Sequence, residues 1–148
     1  MREIVQQFLS GERALYDTHD ARIRYCTFAD GESPLKECSD LEIDNCLFKW
    51  KYPLWYTRNV KMTNCSLFDM ARAGIWYVDN ISVSDTVIEA PKNFRRARGI
   101  VLKNVDFPNA SETVCCCQYI HMEQVTARGD YFAMNSRDIK AENFTLVG

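Results

Sequence analysis

The sequence predicts an all-β chain wound as a single-stranded, right-handed parallel β-helix of about seven coils. Three observations predict it. A unit of 19–21 residues recurs from Ala21 at Leu41, Val60, Ile81, Ile100, Ile120 and Ile139, and a period this short belongs to solenoids. Each unit opens with the two-residue alternation of a strand, and none holds the 3.6-residue period of a helix. Between its second and third apolar positions most units place Asn45, Asn64, Asp85, Asn104 or Asn143, with Tyr25 and Gln124 as exceptions. Asn tolerates left-handed backbone and suits a corner between strands. Stacked Asn amides are therefore expected to form a ladder inside that bend. Parallel strands joined this way are expected to coil with right-handed crossovers.

Taken in chain order, residues 1–20 form a degenerate coil that reads as a polar cap, with Glu3 and Gln6 at inward positions. The coils that follow give consistent apolar columns. One reads Ala21, Leu41, Val60, Ile81, Ile100, Ile120, Ile139; the next Ile23, Ile43, Met62, Val83, Leu102, Met122, Ala141. A third begins Cys26, Cys46, Cys65 and a fourth Phe28, Phe48, Leu67. A fifth, later in the coil, holds Leu15, Leu35, Leu54, Ile75, Phe94, Val114 and Ala133. The chain stops at Gly148, midway through a coil and just past Phe144 and Leu146. A longer natural chain, or a second copy covering this end as a homodimer, is the expectation.

The 148 residues make one domain, 1–148, long enough to bury a core. With 18 basic and 20 acidic residues the net charge is −2, so no global field points to nucleic acid or to an anionic membrane. No apolar run has the length of a membrane span, and no signal-like apolar region opens the chain. The seven cysteines mostly share inward columns: Cys26, Cys46 and Cys65 in one, Cys38 and Cys117 in another. They read as buried free thiols, which suits a cytoplasmic protein. Consecutive strand residues alternate faces, so Cys115, Cys116 and Cys117 are not expected to converge on a metal, and no cofactor is implied. His19 and His121 have no partner in this register and read as surface residues.

Function on a solenoid lies in its outward columns. The pairs Lys36-Glu37, Trp55-Tyr56, Trp76-Tyr77 and Arg95-Arg96 should stack on consecutive coils as an aromatic strip flanked by charge. Aromatic faces stack on sugar rings, and Arg forks hold carboxylates. A neighbouring column carries Glu12, Glu32, Lys51 and Arg72, with Lys92 one place later. Glu12 and Glu32 would lie about 5 Å apart on adjacent coils, near the carboxylate spacing of a retaining glycosidase. The alternative there is a charge ladder neutralised by Lys51 and Arg72. Two functional readings follow. In the first, a polysaccharide or anionic sugar is bound by Trp55, Tyr56, Trp76 and Tyr77, with Lys36, Arg72, Lys92, Arg95 and Arg96 on its charged groups. Glu12, Glu32 and Glu37 are then the acids to test for lyase or glycoside hydrolase chemistry, although no recognisable catalytic motif is present. In the second, the strip and the open end are protein contacts of a non-enzymatic module.

The runs GERALYD (11–17), DGESPLKE (30–37), FKWKYPLWY (48–56), MARAGIWY (70–77), IEAPKNFRR (88–96) and GDYFAMNS (129–136) resemble an uncharacterised bacterial family of unknown function. That resemblance covers essentially the whole chain. It implies a pectin-lyase-like right-handed β-helix and a chain continuing past this C-terminus, but no catalytic residues. The clustered Asp residues with a following His of polygalacturonases are absent, and fold alone does not transfer chemistry.

Overall fold

The computed structural model describes all residues, 1–148. It contains strands and turns and no helix. The strands are β1 (Arg2–Val5), β2 (Phe8–Leu9), β3 (His19–Arg24), β4 (Thr27–Phe28), β5 (Ser39–Asp44) and β6 (Leu47–Phe48). They continue as β7 (Arg58–Thr63), β8 (Ser66–Leu67), β9 (Asp79–Ile88), β10 (Arg98–Phe107), β11 (Gln118–Arg128) and β12 (Arg137–Val147). Every pairing is parallel. The stack β1-β3-β5-β7-β9-β10-β11-β12 gives eight rungs, one more than the seven repeats that begin at Ala21. Arg2, Ala21, Leu41, Val60, Ile81, Ile100, Ile120 and Ile139 lie in one register column.

The first four rungs are each turned at four corners by non-Gly residues with left-handed backbone, and the next three add a further left-handed position at Phe94, Val114 and Ala133. The Asn corner of the sequence is one of them: φ is 53° at Asn45, 52° at Asn64, 50° at Asp85 and 54° at Asn104. Strands β9 to β12 run through this corner, while in earlier rungs it divides a long strand from a short one. A left-handed non-Gly residue costs roughly 1–2 kcal/mol, so the corners persist only because the ladders on either side fix them. The amide ladder itself differs from expectation. At the Asn corner one inter-rung side-chain bond forms, Asn104 Nδ2 to Asp85 Oδ1 at 2.8 Å, and the side chains lie mostly in solvent. The longer ladder runs Asp40–Asn59–Asn80, at 3.0 and 2.9 Å, at the corner preceding the first apolar column.

The apolar columns form one core of 36 buried residues. Phe28 stacks on Phe48 with centroids 4.8 Å apart, and Leu35, Leu54, Ile75, Phe94 and Val114 are fully buried. Each such side chain removed from water contributes about 1.5–3 kcal/mol. The first rung corrects the sequence register. Its offset to the second is 19 residues, so Arg2 pairs with Ala21, and the backbone bond from Thr27 N to Gln7 O sets Gln7 beside Cys26. Ile4 and Gln7, rather than Glu3 and Gln6, take the inward columns of Ile23 and Cys26; Ile4 is buried in the core, whereas Gln7, like Arg2 in the Ala21 column, is exposed. At the other end Ile139, Leu146 and Val147 are exposed.

All seven cysteines are free. Burial pushes the thiols of Cys38, Cys65 and Cys117 up to about 11 and that of Cys46 up to about 12. No helix is long and apolar enough to cross a membrane.

Candidate functional site

The four outward pairs stack as the register requires. Both members of each pair reach the surface because the second sits at a corner: φ is 60° at Glu37, 56° at Tyr56, 58° at Tyr77 and 49° at Arg96. A left-handed residue breaks strand alternation, so neighbours in sequence splay outward together. Trp55 lies parallel to Trp76 at 5.3 Å, and Tyr56 parallel to Tyr77 at 4.7 Å. Each Trp meets its own Tyr edge-on. Lys36 Nζ sits 5.9 Å from the Tyr56 ring centre, and the Arg95 guanidinium 5.1 Å from that of Trp76.

This geometry revises how the strip can work. The ring faces are turned along the solenoid axis, toward one another and toward Lys36 and Arg95. A sugar ring laid along the strip therefore meets aromatic edges and phenol groups rather than open faces. The indoles are also anchored: Trp55 Nε1 donates to Ala73 O, and Trp76 Nε1 donates to Lys92 O at 2.7 Å. Both Trp side chains are half-buried, while Tyr56 and Tyr77 are 49 % and 36 % exposed. The strip is a rigid ridge, and its two flanks differ.

The Trp flank borders a depression of 340 Å³ lined by Lys51, Tyr52, Trp55, Arg72, Ala73, Trp76 and Lys92. Three cations and three aromatics meet there, and no acid lines it. Tyr52 packs on Trp55 at 4.7 Å. Tyr52 was missing from the sequence-derived site, although the left-handed corner column it occupies also contains Lys92. Beneath this flank, fully buried Asn93 accepts from Gly74 N at 2.9 Å and donates to Ala90 O at 3.0 Å. These bonds tie together the turns that carry Trp76 and Lys92.

The acids are dispersed. Glu12 and Glu32 stack in register beside Lys51 and Arg72, through the bonds Arg13 N to Glu32 O and Ser33 N to Lys51 O. Neither acid makes an ion pair, so the neutralised charge ladder does not form; the ion pairs lie elsewhere, such as Arg22 with Glu3 and Glu42 and Lys92 with Glu112. Glu37 lies on the opposite flank and accepts from Tyr16 OH, and that bond raises the Tyr16 phenol above its usual range. Arg96 lies one rung beyond Tyr77, toward Cys116.

The Tyr flank borders a second depression, of 320 Å³, whose lining includes His19, Glu37, Ser39, Tyr56, Arg58 and Tyr77. His19 is not the partnerless surface residue expected. Its Nδ1 lies 2.6 Å from Ser39 Oγ and its Nε2 lies 2.7 Å from Asp17 Oδ1. The signal was present in the register, which sets His19 beside Ser39 on adjacent rungs. The cysteine triplet also departs from expectation. Cys116 occupies a corner, with φ of 59°, and its sulfur comes within 3.3 Å of Cys115 Sγ. Cys117 turns inward, against Phe94 O.

Fold and surface together define a parallel β-solenoid with an aromatic ridge between a cationic groove and a polar depression. The chain belongs to the family described as "Protein of unknown function (DUF3737)", whose model matches residues 2–148. No curated protein matches it. Among solved structures it is similar to a protein of Parabacteroides merdae provisionally assigned as a glycosyl hydrolase, at 10 % identity and a TM-score of 0.44, covering 97 % of this chain and 82 % of that one. It is also similar to QnrB1, a plasmid-mediated fluoroquinolone resistance protein, at 9 % identity and a TM-score of 0.27, covering 96 % and 90 %. Likenesses this distant carry no argument about activity.

Proposed function

We propose that the protein recognises an anionic polysaccharide along the Trp flank of the ridge. The observation that carries this reading is a groove with no acid in its lining, in which Lys51, Arg72 and Lys92 (the last 3.8 Å from Glu112, outside the lining) surround the edges of Tyr52, Trp55 and Trp76. Cations spaced along successive rungs match a polymer bearing repeated carboxylates, and an Arg fork takes a carboxylate through two parallel bonds. The aromatic edges supply apolar contact between the charges. Lys36, Arg95 and Arg96 extend the cationic surface at either end of the ridge. Glu12 and Glu32 lie outside the groove lining, so acid–base cleavage at this groove has little support. Binding of polygalacturonate by wild type, and its weakening by roughly tenfold in the double variant Arg72→Gln plus Lys92→Gln, tests the proposal; equal binding by both proteins refutes it.

A second reading is favoured by the exposed Ile139, Leu146 and Val147 of β12. End-to-end contact between copies would cover them, as an assembly module would require. Sedimentation velocity over a hundredfold concentration range tests it, and a single monomeric species throughout counts against it.

A further inference from the structure

We propose that Ser39, His19 and Asp17 form a nucleophile–base–orienting relay that hydrolyses ester groups, on the Tyr flank of the ridge. Each role follows from the geometry. A carboxylate can only accept, so the contact of Asp17 with Nε2 places the imidazole proton on Nε2. The neutral ring then presents its Nδ1 lone pair to Ser39 Oγ, 2.6 Å away. The competing acceptor for the hydroxyl, Asp40 Oδ2, is farther, at 3.4 Å. Ser39 opens β5 and is 3 % exposed, on the floor of the 320 Å³ depression. Arg58 pairs with Ser39 one rung on and lines the same depression. Its guanidinium is engaged in none of the protein's ion pairs, which leaves it free to face an oxyanion. Such constellations are recognised by geometry and roles rather than by chain order or fold.

The reaction balances without a cofactor. Ser39 Oγ attacks the ester carbonyl carbon as its proton passes to His19 Nδ1, and the oxyanion forms beside Arg58. The bond to the leaving alcohol breaks, and that alcohol takes the proton from Nδ1. Water then attacks the acyl-serine carbonyl, giving a proton to Nδ1; the acyl–Oγ bond breaks, Nδ1 returns that proton to Ser39 Oγ, and the carboxylic acid departs. The sum is ester plus water to acid plus alcohol. Asp17 touches no reacting atom and acts as a positioning residue.

The substrate class rests on the anionic-polysaccharide reading. A polymer held across the ridge would present methyl-ester or acetyl groups over Tyr56 and Tyr77, and removing methyl esters would expose the carboxylates the cationic groove takes.

The test uses the whole chain and three probes: a fluorophosphonate label, p-nitrophenyl acetate, and methyl-esterified polygalacturonate. Wild type should be labelled at Ser39, shown by peptide mass, and should turn over the small ester. Ser39→Ala should lose the label and roughly 10³-fold or more of turnover, with unchanged circular dichroism and unchanged binding of polygalacturonate. Loss in His19→Gly should be restored in part by added imidazole, which a structural role for His19 would not allow. Asp17→Asn should lower kcat by roughly 10²–10⁴ with KM little changed. An unlabelled and inactive wild type, or a Ser39→Ala variant with full turnover, overturns the relay, even if polygalacturonate still binds. Small-ester turnover without turnover of the polymer supports the relay and overturns the polysaccharide substrate.

Discussion

Replacing Asn93 by Ala tests how the groove is held in place. The Asn93 carboxamide is fully buried, and both of its bonds are to backbone: Gly74 N at 2.9 Å and Ala90 O at 3.0 Å. Truncation orphans a buried donor and a buried acceptor, each costing about 1–3 kcal/mol, and leaves a small void. A water entering that void would recover part of the loss, so a net cost of roughly 3 kcal/mol is expected. For a chain of this size that lowers Tm by about 6–12 °C. Asn93→Asp is the informative companion. It keeps an oxygen for Gly74 N–H but sets a carboxylate oxygen against Ala90 O, so at neutral pH it should be at least as destabilising. Thermal unfolding followed by tryptophan fluorescence measures both, and near-UV circular dichroism reports the stacked Trp55–Trp76 pair directly. A cost below about 1 kcal/mol for Asn93→Ala would mean that Gly74 N and Ala90 O have other partners, and that Asn93 does not hold the groove.

Other expectations follow from the same geometry. Gly74→Ala should destabilise by several kcal/mol in thermal unfolding, since a Cβ there would stand 2.7 Å from Ala71 O and 2.7 Å from Asn93 Oδ1. The buried thiols have folded-state values of about 11 to 12 against an ordinary value of 9.0. The fold therefore favours their protonated form, and this contribution is complete below about pH 9 and is lost as pH rises through 11–12. Urea midpoints should fall progressively above pH 9, and Cys46→Ala, Cys65→Ala and Cys117→Ala together should flatten that fall. Arg72→Gln and Lys92→Gln, both solvent-exposed, should each weaken polygalacturonate binding about two- to fivefold at low salt and less at high salt, as measured by calorimetry.

The fold was legible because a solenoid writes its cross-section into the sequence once per rung. The inward columns of Ala21, Ile23, Cys26, Phe28 and Leu35 were readable, and so was the stacking of Trp55 on Trp76; the small buried column of Ala71, Ala90 and Ala110 was not. Failures fell at the corners. Strand alternation fails at Cys115–Cys117, where left-handed backbone at Cys116 sets its sulfur beside that of Cys115. Ring orientation was also hidden, since spacing puts Tyr56 above Tyr77 but does not say that their faces meet. The Asp40–Asn59–Asn80 ladder and the His19–Ser39 contact leave little trace in the apolar pattern of the sequence, for a common reason. Both precede the first apolar column, where Asp20, Asp40, Asn59, Asn80, Gly99, Tyr119 and Asp138 share a left-handed corner, with φ from 53° to 78°. Attention to apolar periodicity passes over that corner. Glu12 and Glu32 were correctly stacked, but sequence register alone could not show that they lie outside the groove.

On the proposed reading, the ridge and its cationic flank select polymers by their negative charge. Calorimetric titration of wild type with polygalacturonate and, in parallel, with a neutral glucan of equal length tests it most directly. Binding to the first should weaken steeply with salt, and the second should not bind measurably. Equal affinity for both polymers, or polygalacturonate binding insensitive to salt, would contradict it.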